Sequence, residues 1–384
     1  MRNLRARLWI VTVASFLALV VVAAAQTASR ARTAEPIKLG VLAGLTGASN
    51  TIGVPYVNGA KMAAAEINKK GGINGRMVKL VFADTETQAV PSVQGALKLV
   101  DVDKVNAILC SCYTFMILPI SETLKNKNIV ITSNAATSPV IRSLPGNVVS
   151  TIATDDVLGA EMVKWAYGLG WHSAALVSGN DTYGSAFRAP TRAAYKKLGG
   201  KILVDLVVDL GLPDYGPEMK RIADSGAKMV ILGTYTDDAR LQLRQLLKLG
   251  WSGAAFELYP TANNFDKDPE ANGHFFGVDN ITTDDAKTKA WRVRYKKAYG
   301  QDASIWAAVG YDAAYLNVLA IANAKSTSAK AIKDGIRAQA ATYLGPTGKI
   351  QFDRVMVRVK PNLAFYALRN GKYVHVNAQG KAIK

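Results

Sequence analysis

Residues 40–80 read GVLAGLTGASNTIGVPYVNGAKMAAAEINKKGGINGRMVKL. The apolar run that begins at Ile37 and ends at Ala43 reads as a strand, and residues 56–69 follow as an amphipathic helix. The lysine-rich end of that helix meets Gly71-Gly72, where a residue with positive φ closes the last turn. Asn74-Gly75 then supplies a tight turn into a second strand over 78–83. Strand, helix and strand in this order make a βαβ unit of a parallel sheet.

The alternation continues outward. Strand candidates lie at 107–110 and 129–132, with helices at 92–101 and 118–125, enough for one open sheet. A second series follows Asp155, with strands at 174–178, 202–208, 229–233 and a short one near Ala255, separated by helices at 185–198, 215–225 and 237–249. The unit repeated is a whole domain and not 20 to 50 residues, so two doubly wound lobes are expected instead of a solenoid. Residues 286–299, 305–324 and 328–338 read as helices, and 349–352 and 362–376 as strands; which lobe these join is open from pattern alone.

The first residues point to export. Arg2, Arg5 and Arg7 precede an apolar stretch from Leu8 to Val22, which ends in Ala23-Ala24-Ala25-Gln26. About fifteen apolar residues fall short of the roughly 20 that a spanning helix needs. A secretory signal cleaved near Ala25 and a free periplasmic protein are expected, with residues 1–25 as the signal peptide. No cysteine stands near that cleavage site to carry a lipid. The two cysteines, Cys110 and Cys112, sit one residue apart, a spacing read as too tight for an unstrained bridge, so both are expected as separate small buried residues. Two thiols without neighbouring histidines supply too few ligands for a metal. No cofactor is expected. The formal net charge of +18 raises nucleic acid as a partner, but the basic residues are scattered, as in Lys196-Lys197 and Lys296-Lys297, without an interleaved aromatic platform.

Thr46-Gly47, Gly59, Ile67-Asn68 and the Gly71 to Gly75 turn together resemble the leucine/isoleucine/valine-binding family of transporter receptors. The resemblance extends to Asp84, Ala135-Ala136-Thr137, Asp181-Thr182-Tyr183-Gly184 and Tyr311-Asp312. It implies a type I periplasmic binding protein: an α/β chain of two doubly wound parallel-sheet lobes joined by a three-strand hinge. Residues 36–154 plus 280–345 would form lobe 1, and 155–279 plus 346–384 lobe 2. It further implies a monomer that closes over a small ligand and delivers it to the permease of a membrane ABC transporter.

A zwitterion between two lobes needs amides and hydroxyls for its carboxylate, acceptors for its ammonium and an apolar wall. The loop from Cys110 to Phe115 precedes a helix, so Thr114 and neighbouring amides are placed to receive a carboxylate, although the same hydroxyl also suits an N-cap. The resemblance assigns a backbone carbonyl at Ala135, and amide and hydroxyl at Thr137, with Ala136 between them; Thr137 to Pro139 also reads as a capping sequence. From the opposite lobe it assigns Tyr183 and Tyr235 as lids. Two positions depart from the family. Ile52 stands where amino-acid binders often carry tyrosine, and Tyr259 falls where they place a glutamate for the ammonium, with Glu257 two residues away as the alternative. A branched or otherwise apolar amino acid is the first ligand expected. An aromatic carboxylate is its competitor, favoured by Ile52, Phe115, Trp306 and Tyr259.

Other classes lack their ingredients. There is no G-x-G-x-x-G, G-x-x-x-x-G-K-[ST] or G-x-S-x-G, and His172, His274 and His375 stand apart from any nucleophile, so no enzyme is expected. Sugar-responsive repressors share the two-lobed fold, but they carry an N-terminal helix-turn-helix where this chain carries the export signal. A sensor subunit presenting ligand to a membrane receptor stays open as an alternative.

Overall fold

The computed structural model describes residues 35–260 and 264–383, so the signal sequence read at the N-terminus lies outside the described residues. Ile37–Ala43 (β1) opens a parallel sheet completed by Val78–Asp84 (β2), Ala107–Ser111 (β3), Val130–Ser133 (β4) and Val148–Ser150 (β5). The order is β2-β1-β3-β4-β5. Helices Asn50–Lys69 (α1), Ala89–Asp101 (α2) and Thr114–Thr123 (α3) join the strands. Each begins several residues before its apolar period becomes visible. Pro91 in the first turn of α2 suits a helix start, whereas Pro55 lies inside α1, and both blur the pattern. The turn glycines behave as their positions require, with φ of +85° at Gly71, +81° at Gly72 and +74° at Gly75.

The second series comprises Asp155–Gly168 (α4), Ser173–Gly179 (β6), Thr182–Lys197 (α5), Lys201–Val208 (β7), Gly216–Asp224 (α6), Met229–Gly233 (β8), Thr236–Lys248 (α7) and Ala254–Leu258 (β9). Phe275–Asn280 (β10), whose apolar run is broken by Gly277 and ends in Asp279-Asn280, extends this sheet in parallel beside β9. The chain then returns to the first sheet as Ala286–Tyr299 (α8), Ile305–Asn323 (α9) and Ala329–Ala340 (α10). Four two-residue strands follow: Leu344–Gly345 (β11), Gly348–Lys349 (β12), Gln351–Phe352 (β13) and Arg358–Val359 (β14). Leu363–Arg369 (β15) and Lys372–Val376 (β16) close the second sheet as an antiparallel hairpin, turned by Asn370 and Gly371 at positive φ. Its order is β16-β15-β10-β9-β8-β6-β7.

The helix α9 is apolar all round and long enough to cross a membrane, yet 83% of that window is buried inside the molecule, as for a core helix. It crosses α1 in backbone contact. A Cβ on Gly59 would stand 1.9 Å from the Ala307 carbonyl oxygen, and one on Gly310 would stand 2.1 Å from that of Tyr56. Gly59, one of the residues that carry the family resemblance, thus lies within α1 and serves close packing.

Three segments pass between the sheets: after β5, after β10, and between β12 and β15. The buried Arg358 guanidinium ties two of them, with Nη2 donating to the Thr347 carbonyl at 2.7 Å and Nη1 to that of Thr151 at 3.4 Å. Cys110 and Cys112, expected as separate residues, are joined by a disulfide. Residues two apart on an extended chain present side chains on one face, and their Cα atoms, 5.3 Å apart, fall inside the span a bridge accepts.

Candidate functional site

In each sheet the strand order reverses beside the first strand, between β1 and β3 and between β6 and β8. Open α/β sheets bind ligands beyond the carboxyl ends of strands at such points. The two points face each other across a shared cavity. Ile52 of α1, Tyr113 and Thr114 at the start of α3, Ala135 and Thr137 after β4, and Trp306 at the start of α9 line one side. Tyr183 of α5, Thr234 to Thr236 between β8 and α7, and Leu258 and Tyr259 at the end of β9 line the other.

Eight of the eleven residues singled out in the sequence, Trp306 among them, therefore meet here, and three do not. Ala136 is fully buried and packs among Cys110, Cys112 and Ile141. Phe115 stands outside the cavity, its ring 6.2 Å from those of Tyr113 and Tyr235, on an adjoining outer groove. Glu257 is buried within β9, opposite Gly277 of β10, and does not line the cavity. Tyr259 leaves the strand with φ +61°, which ends the alternation of side chains and turns its ring into the cavity in place of Glu257.

The acidic group of the site is Asp155, which the sequence analysis used only to mark where the second series begins. It is fully buried at the first turn of α4 and accepts from Thr137 Oγ1 at 2.7 Å and from Tyr259 Oη at 2.6 Å. Burial pushes its carboxyl up to about 7, against those two hydrogen bonds. The Thr137 hydroxyl is therefore not a cap; Ser138 Oγ caps the following turn by accepting from Val140 N. Thr114 is not a cap either, since Tyr113 occupies that position in α3.

Five helices open on the cavity through Ile52, Thr114, Tyr183, Thr236 and Trp306, and their N-terminal amides carry partial positive charge. In α3 the amides of Met116 and Ile117 both donate to the Tyr113 carbonyl at 3.0 Å, which leaves those of Thr114 and Phe115 outside the helical ladder. No aspartate or glutamate is among the lining residues. The aromatic side chains meet across the crevice: Tyr235 lies 5.4 Å from Tyr113 and 5.1 Å from Tyr183. Tyr235 Oη donates to Asp181 Oδ2 at 2.8 Å, while Asp181 Oδ1 accepts from Gly184 N to cap α5. The lid tyrosine is thereby held by the cap of its neighbouring helix. Tyr113, Thr234, Thr236 and Leu258 were missed in the sequence; only Tyr113, inside the polar loop before α3, carried a signal there.

Two doubly wound sheets with a shared cavity at their facing switch points define a two-lobed solute-binding protein. The chain belongs to the periplasmic binding protein family, whose model, described as "Periplasmic binding protein", matches residues 36–372. At that level it stands among substrate-binding proteins of the periplasm and not among enzymes. It is 29% identical to the amino acid binding protein of Pseudomonas aeruginosa over 68% of this chain and 65% of that one. It is also 29% identical to the Leu/Ile/Val-binding protein BraC3 of Rhizobium johnstonii over 55% of this chain and 58% of that one, so it spans less than two thirds of either relative. Its fold matches a leucine binding protein from Thermotoga maritima, with a TM-score of 0.80, 20% identity and coverage of 89% and 98% of the two chains. It matches a solute binding protein from R. palustris in complex with benzoate at a TM-score of 0.77, 16% identity and coverage of 91% and 97%.

Proposed function

We propose that this chain is the periplasmic substrate-binding component of an ABC importer, taking a branched-chain or other apolar amino acid into the interlobe cavity and closing over it. The carrying observation is a cavity lined from both lobes, with helix N-termini for a carboxylate and an apolar wall of Ile52, Leu258 and Trp306. The relatives named for leucine, isoleucine and valine support the ligand class. The partner is the transporter's permease, with no nucleic acid, and the unit of action is a monomer exported by a cleaved signal. For the lobes we propose 36–154 with 280–345 and 155–279 with 346–384, except that residues 346–359 go to the first lobe. Ile350 packs there with Leu316 and Ala340, and Val357 joins the cluster around β3 and β4.

A second reading has its own observation: a cavity ringed by Tyr113, Tyr183, Tyr235, Tyr259 and Trp306 with no acidic lining residue suits an aromatic carboxylate that brings no ammonium. The benzoate-bound structure from R. palustris shows that fold carrying such a ligand. Calorimetry with leucine, isoleucine and valine against benzoate separates the two, and heat from benzoate alone would overturn the first.

Closure requires a ligand that contacts both lobes, because a ligand bound equally well to open and closed forms shifts nothing. Tyr183→Ala and Tyr235→Ala are each expected to weaken binding of the calorimetric ligand by about thirtyfold, the scale of truncating an aromatic anchor. Thr137→Ala is expected to reduce it further. Unchanged affinity in all three would remove the cavity as the binding site.

A further inference from the structure

We propose that the Cys110–Cys112 disulfide is a positioning device that holds the N-terminus of α3 at the cavity, aiming its first amides at the ligand's anionic group. The proposal rests on the cavity being the ligand site. Cys110 is fixed within the sheet, paired with Leu42 on one side and Ser133 on the other, and its carbonyl accepts from Asn134 N at 2.9 Å. Strand pairing ends one residue later, at Ser111 opposite Ala43. Cys112 is therefore the first residue past the strand, Tyr113 the N-cap of α3 and Thr114 its first residue. The bridge ties Cys112 back to a residue the sheet already holds.

The sequence of α3 explains what that connection does. No side chain caps the helix and its first turn has no acidic residue. By contrast α9, which opens on the same cavity, is capped by Ser304 Oγ accepting from Ala307 N at 3.3 Å. Pro119 lies inside α3 and has no N–H to offer the Phe115 carbonyl, so the first turn loses a rung. What remains is the pair of amides donated to Tyr113, and Tyr113 is adjacent to the bridged residue. A cross-link removes conformations that an unbridged chain would sample, and here those conformations are the swings of Tyr113 and Thr114 away from the cavity. Both cysteines are fully buried, so the bridge is positioned against bulk reductant in the folded protein.

The test uses the full exported chain and two double variants, Cys110→Ala/Cys112→Ala and Cys110→Ser/Cys112→Ser. Thiols are titrated in wild-type protein denatured without reductant, amide hydrogen exchange is followed over residues 110–117, and calorimetry compares leucine with leucinamide and benzoate with benzamide. Wild-type protein is expected to show no free thiol. In both variants exchange at 114–117 is expected to quicken at least about tenfold while thermal unfolding stays cooperative. Affinity for the carboxylate ligand is expected to fall about five- to twentyfold, the range of one helix-terminus interaction, with the neutral amide unaffected. A merely structural bridge would weaken acid and amide alike. Two free thiols in wild-type protein, or exchange unchanged in both variants, would overturn the proposal. If oxidised wild-type protein binds neither leucine nor benzoate, the ligand reading fails, and the exchange result still decides the positioning.

Discussion

Replacing Asp155 by alanine is expected to lower ligand affinity about thirty- to hundredfold, measured by calorimetry at pH 7.5. The carboxylate is the shared acceptor for Thr137, which follows β4 of the first sheet, and Tyr259, which ends β9 of the second. Both donors line the cavity, so removing their shared acceptor takes a hydrogen bond from each buried hydroxyl, at about 1–3 kcal/mol each. Asp155→Asn keeps an acceptor and isolates the charge. In the folded protein the Asp155 carboxyl titrates at about 7, against an ordinary value of 3.8. The folded state therefore holds a proton that the unfolded chain releases, and stability falls as pH rises through that interval, by about 1.4 kcal/mol per unit, levelling off above pH 7. Asp312, which burial pushes up to about 6, contributes the same sign at lower pH. The interval from pH 6 to 7 is thus where Asp155 acts alone of the two, and urea titrations there are expected to show a slope in wild-type protein that Asp155→Asn flattens. A variant that keeps the slope would assign it elsewhere.

How much of this was legible depended on whether a residue's role was local. The βαβ series was, because strand and helix periods are written in each segment, and the positive-φ glycines after α1 follow from turn chemistry alone. β5 and β10 were not: β5 has only three residues, β10 is interrupted by Gly277 and ends in Asp279-Asn280, and their pairing partners supply the order. At the site, Thr137, Tyr183 and Tyr235 came from resemblance at matching loops. Glu257 entered only as the alternative to Tyr259, and the left-handed φ of Tyr259 reveals which of the two side chains turns inward. Asp155 was hidden for the opposite reason. Thr154-Asp155-Asp156 is an ordinary opening for a helix, and its partnership with residues 137 and 259 exists only once both lobes are folded. The disulfide was excluded by a spacing argument that took the extended chain as a barrier, whereas alternate residues share a face.

Arg358→Met is expected to destabilise the protein by about 3–5 kcal/mol in urea titrations at pH 8, where Asp312 is ionised, because it removes one partner of a buried charged network and leaves the other. Arg358 is 3% exposed and Asp312 1%. They do not touch directly; Thr347 relays between them, its hydroxyl donating to Asp312 Oδ2 and accepting from Arg358 Nη1 at 3.0 Å, while its amide donates to Asp312 at 2.9 Å. Tyr343 Oη adds a further donor to Asp312 at 2.6 Å. Burial lowers the Arg358 guanidinium only to about 10, so it stays charged at the pH of the experiment. Through the Thr151 and Thr347 carbonyls this guanidinium also ties the first crossing segment to the third, so the lost interaction falls on the hinge. Removing both charges in Arg358→Met/Asp312→Leu is expected to cost less than the sum of the single changes, since neither ion is then left buried alone. A single-variant loss below about 1 kcal/mol, or strictly additive losses, would show that Thr347 and the surrounding carbonyls satisfy each charge separately and that no coupled pair holds the hinge.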